Sequence, residues 1–354
     1  MDRNRRLTIE IIVFSSLIAA LYFFAPAKDK LVRSAGRVDV DSGMREVMGT
    51  FARVVAVAAD SRTAKGCIEA AFAEIEKVDK LMSDYKSDSE ISELNRDGFV
   101  RAVKVSKSIY EVLQRSIEFS KLSGGAFDVT VGPLVDLWHS AGDANSLPTD
   151  AELQQARSRV GYDKLILDAN ETSVRFTVEG MRVDLGGIAK GYAVDKAIEA
   201  MQKGGAVGGM VVISGEIQCF GLPQGGQSKW RIGLQNPDKA ETGFDDGMPL
   251  LVLNLMDTAV STSGNYRRFV TIRGERYSHI VDPESGHSSE SLASVTIICP
   301  SSTDADALAT AVTVMGREKG LALIETIPET EAILITSGPK YELIKTRGAE
   351  KFIE

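Results

Sequence analysis

"GMVVISGEIQCFG" (209–221) opens a run in which one strand-like segment follows another, and this run decides the fold. It continues through "KWRIGLQNP" (229–237), "MPLLVLNLMDTAVSTSG" (248–264), "RFVTIRGERYSHIVDP" (268–283) and "LASVTIICP" (292–300). Glycine or proline turns separate each segment from the next. Upstream, "MGTFARVVAVAAD" (48–60) is strand-like, and "KGCIEAAFAEIEKVDKLMS" (65–83) repeats apolar residues at helical spacing. Ser87-x-x-Glu90 is a capping-box signal for a short helix, "KSIYEVLQRSIEFSKLSGG" (107–125) is amphipathic, and Gly132-Pro133 opens another helix. Two short strands flank "DANETS" (168–173). Helical stripes follow at Val194, Ile198 and Met201 and in "DADALATAVTVMG" (304–316), and a terminal hairpin closes the chain. Strands and helices mix without regular βαβ alternation, so the pattern predicts an α+β fold of mixed or antiparallel sheets with packed helices.

Composition is that of an ordinary globular chain: 354 residues, 44% hydrophobic and 25% charged, enough to bury a large core. The formal net charge of −8 argues against general nucleic-acid binding. Three histidines (His139, His279, His287) and three scattered cysteines (Cys67, Cys219, Cys299), with no CxxC or HExxH motif, argue against zinc. The start of the chain has its own signature. Basic "MDRNRRL" precedes the uncharged Ile11–Ala27, and "APA" then meets "KDK". Residues 1–30 therefore read as a signal peptide or an N-terminal membrane anchor, with the basic flank cytoplasmic and the rest exported. Residues 31–46 read as a tether, and 47–354 as one folded unit.

"VDLGGIAKGYAVD" (183–195) is a glycine-rich turn opening a helix, where backbone N–H groups could converge on phosphate. It is neither a P-loop nor G-x-G-x-x-G, and a tight packed turn is the alternative. Asp184 and Lys190 flank it, an acid for a ligand's polar edge and a cation for phosphate. In the apolar helix, Asp306 and Thr310 are spaced i, i+4 and share a face. Two readings stand there. Asp306 closes a capping box with Thr303, or the carboxylate and hydroxyl hold a hard metal such as magnesium. His279, at a strand end before an Asp-Pro turn, is either structural or a general base. Phe127 and Asp128 fall in a Gly-rich loop that should leave the ring more exposed than a core residue. Tyr85 precedes a helix start, and Met48 precedes Gly49-Thr50.

Nine ordered blocks carry a resemblance: "MGT", "MSDYKSDSEISELN", "GGAFDVTVGPLVDLW", "VDLGGIAKGYAVD", "SGEIQCFG", "WRIGLQNP", "STSGNYRRF", "YSHIVDPESG" and "ADALATAVTVMG". Together, from about Met48 to Gly338, they resemble the ApbE family of FAD:protein FMN transferases. The resemblance implies a T-fold-related catalytic unit of two lobes on the periplasmic side of a bacterial inner membrane. It implies Mg2+ as cofactor and FAD as substrate. FMN would pass to a threonine or serine of an acceptor protein through a phosphoester, releasing AMP. The acceptor would be a subunit of a membrane redox complex with a Gly-Ala-Thr-like motif; FAD pyrophosphatase and non-catalytic flavin binding are the alternatives. Carried over by motif, Met48, Tyr85, Ala126, Phe127, Asp128, Asp184, Lys190 and Ile280 resemble FAD contacts. Asp306 and Thr310, with the Gly187 carbonyl, resemble metal ligands, and His279 resembles the catalytic histidine. The chain departs from the family's usual residues at Val129, Ser214 and Asn265, which touches substrate affinity or acceptor choice more than chemistry.

Overall fold

The computed structural model describes residues 36–223, 225, 227–237, 249–264, 269–338 and 341–354. Residues 1–30, the first part of the expected tether and Asn265 lie outside the described residues. No described helix is long and apolar enough to cross a membrane.

The helices are α1 (Ser61–Met82), α2 (Glu90–Asp97), α3 (Lys107–Leu122), α4 (Gly132–Ala144), α5 (Asp150–Arg157), α6 (Ala189–Lys203) and α7 (Ser302–Ile324). The strands of the main sheet are β1 (Val38–Val47), β2 (Thr50–Ala58), β6 (Gly208–Ile213), β7 (Glu216–Gly221), β10 (Thr258–Gly264), β13 (Leu292–Cys299), β14 (Glu331–Thr336) and β15 (Leu343–Lys345). They lie in the order β1-β2-β6-β7-β10-β13-β14-β15, and every pairing is antiparallel.

Both faces of this sheet are covered. On one, Ala52, Val54, Val211, Ile213, Val295 and Ile297 pack under α1, α6 and α7. On the other, Val55, Val57, Met210, Val212 and Ile217 meet Trp230, Ile232, Leu253 and Leu255. Those last four come from a hairpin of β8 (Trp230–Leu234) and β9 (Leu251–Leu255). Double coverage explains why the central strands read as nearly continuous apolar runs instead of alternating ones. A third, smaller core joins α4 and α5 to the hairpin of β11 (Phe269–Ile272) and β12 (Glu275–Ser278), through Leu134, Trp138, Leu153 and Ile272. A three-stranded sheet of β3 (Val103–Lys104), β4 (Leu165–Asp168) and β5 (Ser173–Phe176) lies beside α2. The architecture is α+β, as the run of strands predicts.

Several local expectations are corrected. Residues 38–46 are not tether but most of β1, an edge strand largely exposed along its length and bulged between Asp41 and Met44. An edge strand pairs through its backbone and can keep polar side chains on both faces, so no apolar period announces it. Helix α2 is capped by Ser89, not Ser87; the Glu90 carboxylate instead accepts the Ser106 N–H at 2.7 Å. Helix α5 carries a complete capping box of Thr149 and Glu152 that the sequence reading passed over. Helix α7 runs past its expected end at 316, across a non-helical Gly316 at φ 75°. Cys67, Cys219 and Cys299 are all buried free thiols.

Helices α6 and α7 exchange carboxylates. Asp195 of α6 accepts the Ser301 hydroxyl and the Ser302 and Thr303 N–H groups at 2.9 Å each, and the Thr303 hydroxyl as well. In return, Asp306 of α7 accepts the Gly191 N–H at 2.9 Å. Each acid thus meets the positive end of the other helix. Burial holds the Asp195 carboxyl above the usual range in spite of its four donors. Asp195→Ala strands several of these donors and should cost about 2–3 kcal/mol of folding free energy. The denaturant midpoint measures it, and a loss below about 0.5 kcal/mol would place the cross-cap among neutral surface changes.

Candidate functional site

The loop 183–191 is fixed from both ends. Asn95 grips the Val183 backbone twice, donating to its carbonyl at 2.9 Å and accepting its N–H at 2.7 Å. The Asp184 N–H donates to the Val129 carbonyl at 2.7 Å, and its Oδ1 accepts the Gly186 N–H at 2.7 Å. Just before the loop, Arg182 bridges Asp84 at 2.8 Å and Asp136 at 2.6 Å. Burial, then the charge of Asp184, pushes the Asp84 carboxyl above its ordinary value against the pull of Arg182.

Lys190 stands in the first turn of α6, the end of a helix where a cation is least welcome. Acceptors compensate. Its Nζ lies 3.2 Å from Glu216 Oε1 and 3.6 Å from Asp306 Oδ2, and donates to the Gly186 carbonyl at 3.1 Å. The side chains of Glu216 and Asp306 are 5% and 2% exposed, so the charges interact with little solvent screening. The capping box of Asp306 with Thr303 does not form. Ser301 caps α7, Thr303 donates to Asp195, and Asp306 turns to α6 and Lys190. One turn on, Thr310 faces the loop: a Cβ on Gly187 would lie 2.9 Å from Thr310 Oγ1. A carboxylate, a hydroxyl and a glycine backbone therefore converge at one seam beside an ammonium group.

Gly187, Lys190, Asp306 and Thr310 are thus brought together, and Asp184 sits on the same loop with its carboxylate turned to the Gly186 N–H. Phe127 joins them differently from expectation. Its ring is 2% exposed, edge-on to Phe119 at 6.2 Å, and would lie 3.4 Å from a Cβ on Gly187. It backs the loop from the core, because the Gly-rich segment folds over it. Asp128 is likewise turned inward. Its oxygens accept the Thr130 N–H and hydroxyl and the Tyr162 N–H at 2.7–2.8 Å, and its buried carboxyl is raised above the usual range. Its carboxylate organises the loop. Ala126, half-buried, precedes these two.

The other predicted positions lie on separate segments of the chain. Tyr85 is 88% exposed in the turn before α2. Met48 and Gly49 form the two-residue turn of the β1–β2 hairpin, both at positive φ, 50° and 65°. Such turns favour Asn, Asp or Gly, so a methionine there is unusual. His279 and Ile280 follow β12, with Ile280 buried. Their segment is pinned by the Ser289 N–H to the Ile280 carbonyl at 2.9 Å and by Trp138 Nε1 to the Gly286 carbonyl at 2.9 Å. Glu216 was missed by sequence reasoning. Its signal was a lone carboxylate at the head of a mostly apolar strand.

The sequence model of the ApbE family matches residues 48–334. An FAD:protein FMN transferase of Vibrio cholerae is 37% identical over 270 residues, covering 75% of this chain and 78% of its own length. One from Treponema pallidum is 33% identical over 303 residues, covering 82% of each chain. Among solved structures, an ApbE protein from Thermotoga maritima superposes with a TM-score of 0.78 at 28% identity, covering 90% of this chain and 99% of its own. The flavin transferase ApbE from Vibrio cholerae gives 0.73 at 30% identity, over 89% and 99%.

The two inner glycines should respond differently to a methyl group. A Cβ on Gly191 would overlap the Ser302 carbonyl and come within 2.8 Å of Asp306 Cβ, so Gly191→Ala forces α6 and α7 apart. It should cost about 3 kcal/mol. Gly187→Ala meets only the tip of Thr310 and the Phe127 ring edge and should cost about 1 kcal/mol. Equilibrium denaturation of both variants checks the ranking, and equal losses would contradict it.

Proposed function

The chain belongs to the ApbE family, and on that premise we propose that it is a magnesium-dependent FAD:protein FMN transferase. It moves FMN from FAD to a threonine or serine hydroxyl of an acceptor protein and releases AMP. The observation that carries the reading is the seam where Asp306, Thr310 and Gly187 meet beside Lys190.

The donor set suits magnesium: carboxylate, hydroxyl and backbone carbonyl are all hard oxygens. Among the described residues, no group of three or more His, Cys, Asp or Glu side chains could hold a metal, so phosphate or water would complete the shell. Asp306, Thr310 and the Gly187 carbonyl would hold the ion. Bound there, magnesium would neutralise pyrophosphate charge and stabilise the charge that develops on departing AMP.

The chain's own groups do the rest. Lys190 meets phosphate oxygens, and Asp184 holds a polar edge of the dinucleotide. Met48, Tyr85, Ala126 and Ile280 supply surfaces suited to a flat flavin. Phe127 and Asp128 serve by holding the loop that shapes this wall. His279 takes the proton of the acceptor hydroxyl as its oxygen bonds to the FMN phosphorus and the pyrophosphate bond breaks. The basic N-terminus and the uncharged stretch Ile11–Ala27 support work at the periplasmic face of an inner membrane, and the family resemblance implies an acceptor there that is a redox-complex subunit with a Gly-Ala-Thr-like motif.

The test is incubation of the purified chain with FAD, magnesium and an acceptor bearing that motif, read as covalent flavin fluorescence after denaturing electrophoresis. Labelling with AMP release is expected, and chelation should abolish both. His279→Ala should slow transfer about 100-fold or more, and Asp306→Ala should end it. AMP without labelled acceptor would identify an FAD pyrophosphatase. Magnesium-dependent turnover surviving in Asp306→Ala would refute the metal assignment.

A further inference from the structure

Glu216 is the group at the seam that the proposed reaction leaves without a task. It begins β7 directly after the Ser214–Gly215 turn, and its neighbours Ile217 and Cys219 point to the opposite face of the sheet. Glu216 faces the helices, where only 4% of the residue is exposed. A carboxylate there is costly unless paired, and the pairing in view is Lys190, at 3.2 Å.

Lys190 is shared. The same ammonium group lies 3.6 Å from Asp306 Oδ2, the carboxylate that would ligate a divalent cation. A metal and an ammonium group cannot both lean on Asp306 without strong repulsion at such short range. If Lys190 had Asp306 as its sole anionic partner, it would compete with the metal for that oxygen. Glu216 provides a second anion on the sheet side, nearer than the first.

We infer that Glu216 is a positioning residue that retains the Lys190 ammonium when a divalent cation takes Asp306. The inference rests on the metal reading of Asp306. It assigns Glu216 no contact with substrate or metal; it acts through Lys190. Two cationic groups are thereby accommodated in one small site, one on each carboxylate.

The experiment is direct Mn2+ binding to the full chain without FAD, followed by electron paramagnetic resonance of the free ion. Glu216→Gln leaves Lys190 leaning on Asp306 and should weaken Mn2+ binding about tenfold or more. Lys190→Met removes the competing cation and should bind at least as tightly as the parent. The double variant Glu216→Gln/Lys190→Met should return to within about threefold of the parent. Unchanged affinity in Glu216→Gln overturns the inference, and so does a double variant as weak as Glu216→Gln, because Glu216 would then act on the metal or the fold directly. Should Glu216→Gln fail to fold, the double variant decides alone, since it removes both members of the pair: recovery supports the inference and a tenfold loss overturns it. Asp306→Asn separates the premise. If it binds Mn2+ like the parent, the metal reading itself has failed; if its binding is lost, the Glu216 variants test the pairing alone.

Discussion

The structure depends on the carboxylate exchange between α6 and α7. Asp195 receives the first N–H groups of α7, and Asp306 receives an N–H from the first turn of α6. Helix N-termini carry orphan donors and partial positive charge, so each acid offsets what the other helix leaves unsatisfied. The exchange requires very close approach, which is why glycine stands at 191, against the Ser302 carbonyl and the Asp306 Cβ. Site and core are therefore the same contact. Asp306 cannot be a free ligand that happens to sit nearby; it is placed by the packing that joins the two helices.

That placement also explains the loop before α6. Its residues have no regular secondary structure to fix them, so single side chains do it. Asn95 holds Val183, Arg182 is clasped by Asp84 and Asp136, and Phe127 closes the space under Gly187. Each contact comes from a segment distant in sequence. Helix α4 touches the start of this loop through Asp136 on Arg182, and the same helix packs against the β11–β12 hairpin that leads into His279.

What could be read in the sequence follows from the same physics. The central strands were legible because burial on both faces makes them uniformly apolar, and the helices because burial on one face makes them periodic. β1 was not legible, since an edge strand held by backbone pairing carries no apolar pattern. Asp306 and Thr310 were recognisable as an i, i+4 pair, yet helical spacing alone could not distinguish a local cap from a cap given to another helix. Phe127 was misread for a related reason: a glycine-rich loop signals backbone freedom but not which way the ring turns. Glu216 carried a signal, an acid at the head of a mostly apolar strand, whose partner on α6 is fixed only by how the helix crosses the sheet.

Charge is the final constraint. Lys190, Glu216 and Asp306 together sum to one negative charge, in a chain whose formal net charge is −8. Such a cluster attracts a cation and repels a pyrophosphate, even though it contains the lysine that a phosphate would seek. A divalent ion on Asp306 would reverse the local sign, so that the seam attracts an anion while Lys190 stays on Glu216. On the proposed reading, metal and dinucleotide are then not independent guests. The first converts the seam from a site that repels phosphate into one that holds it, and Glu216 is what allows the lysine to remain while that happens.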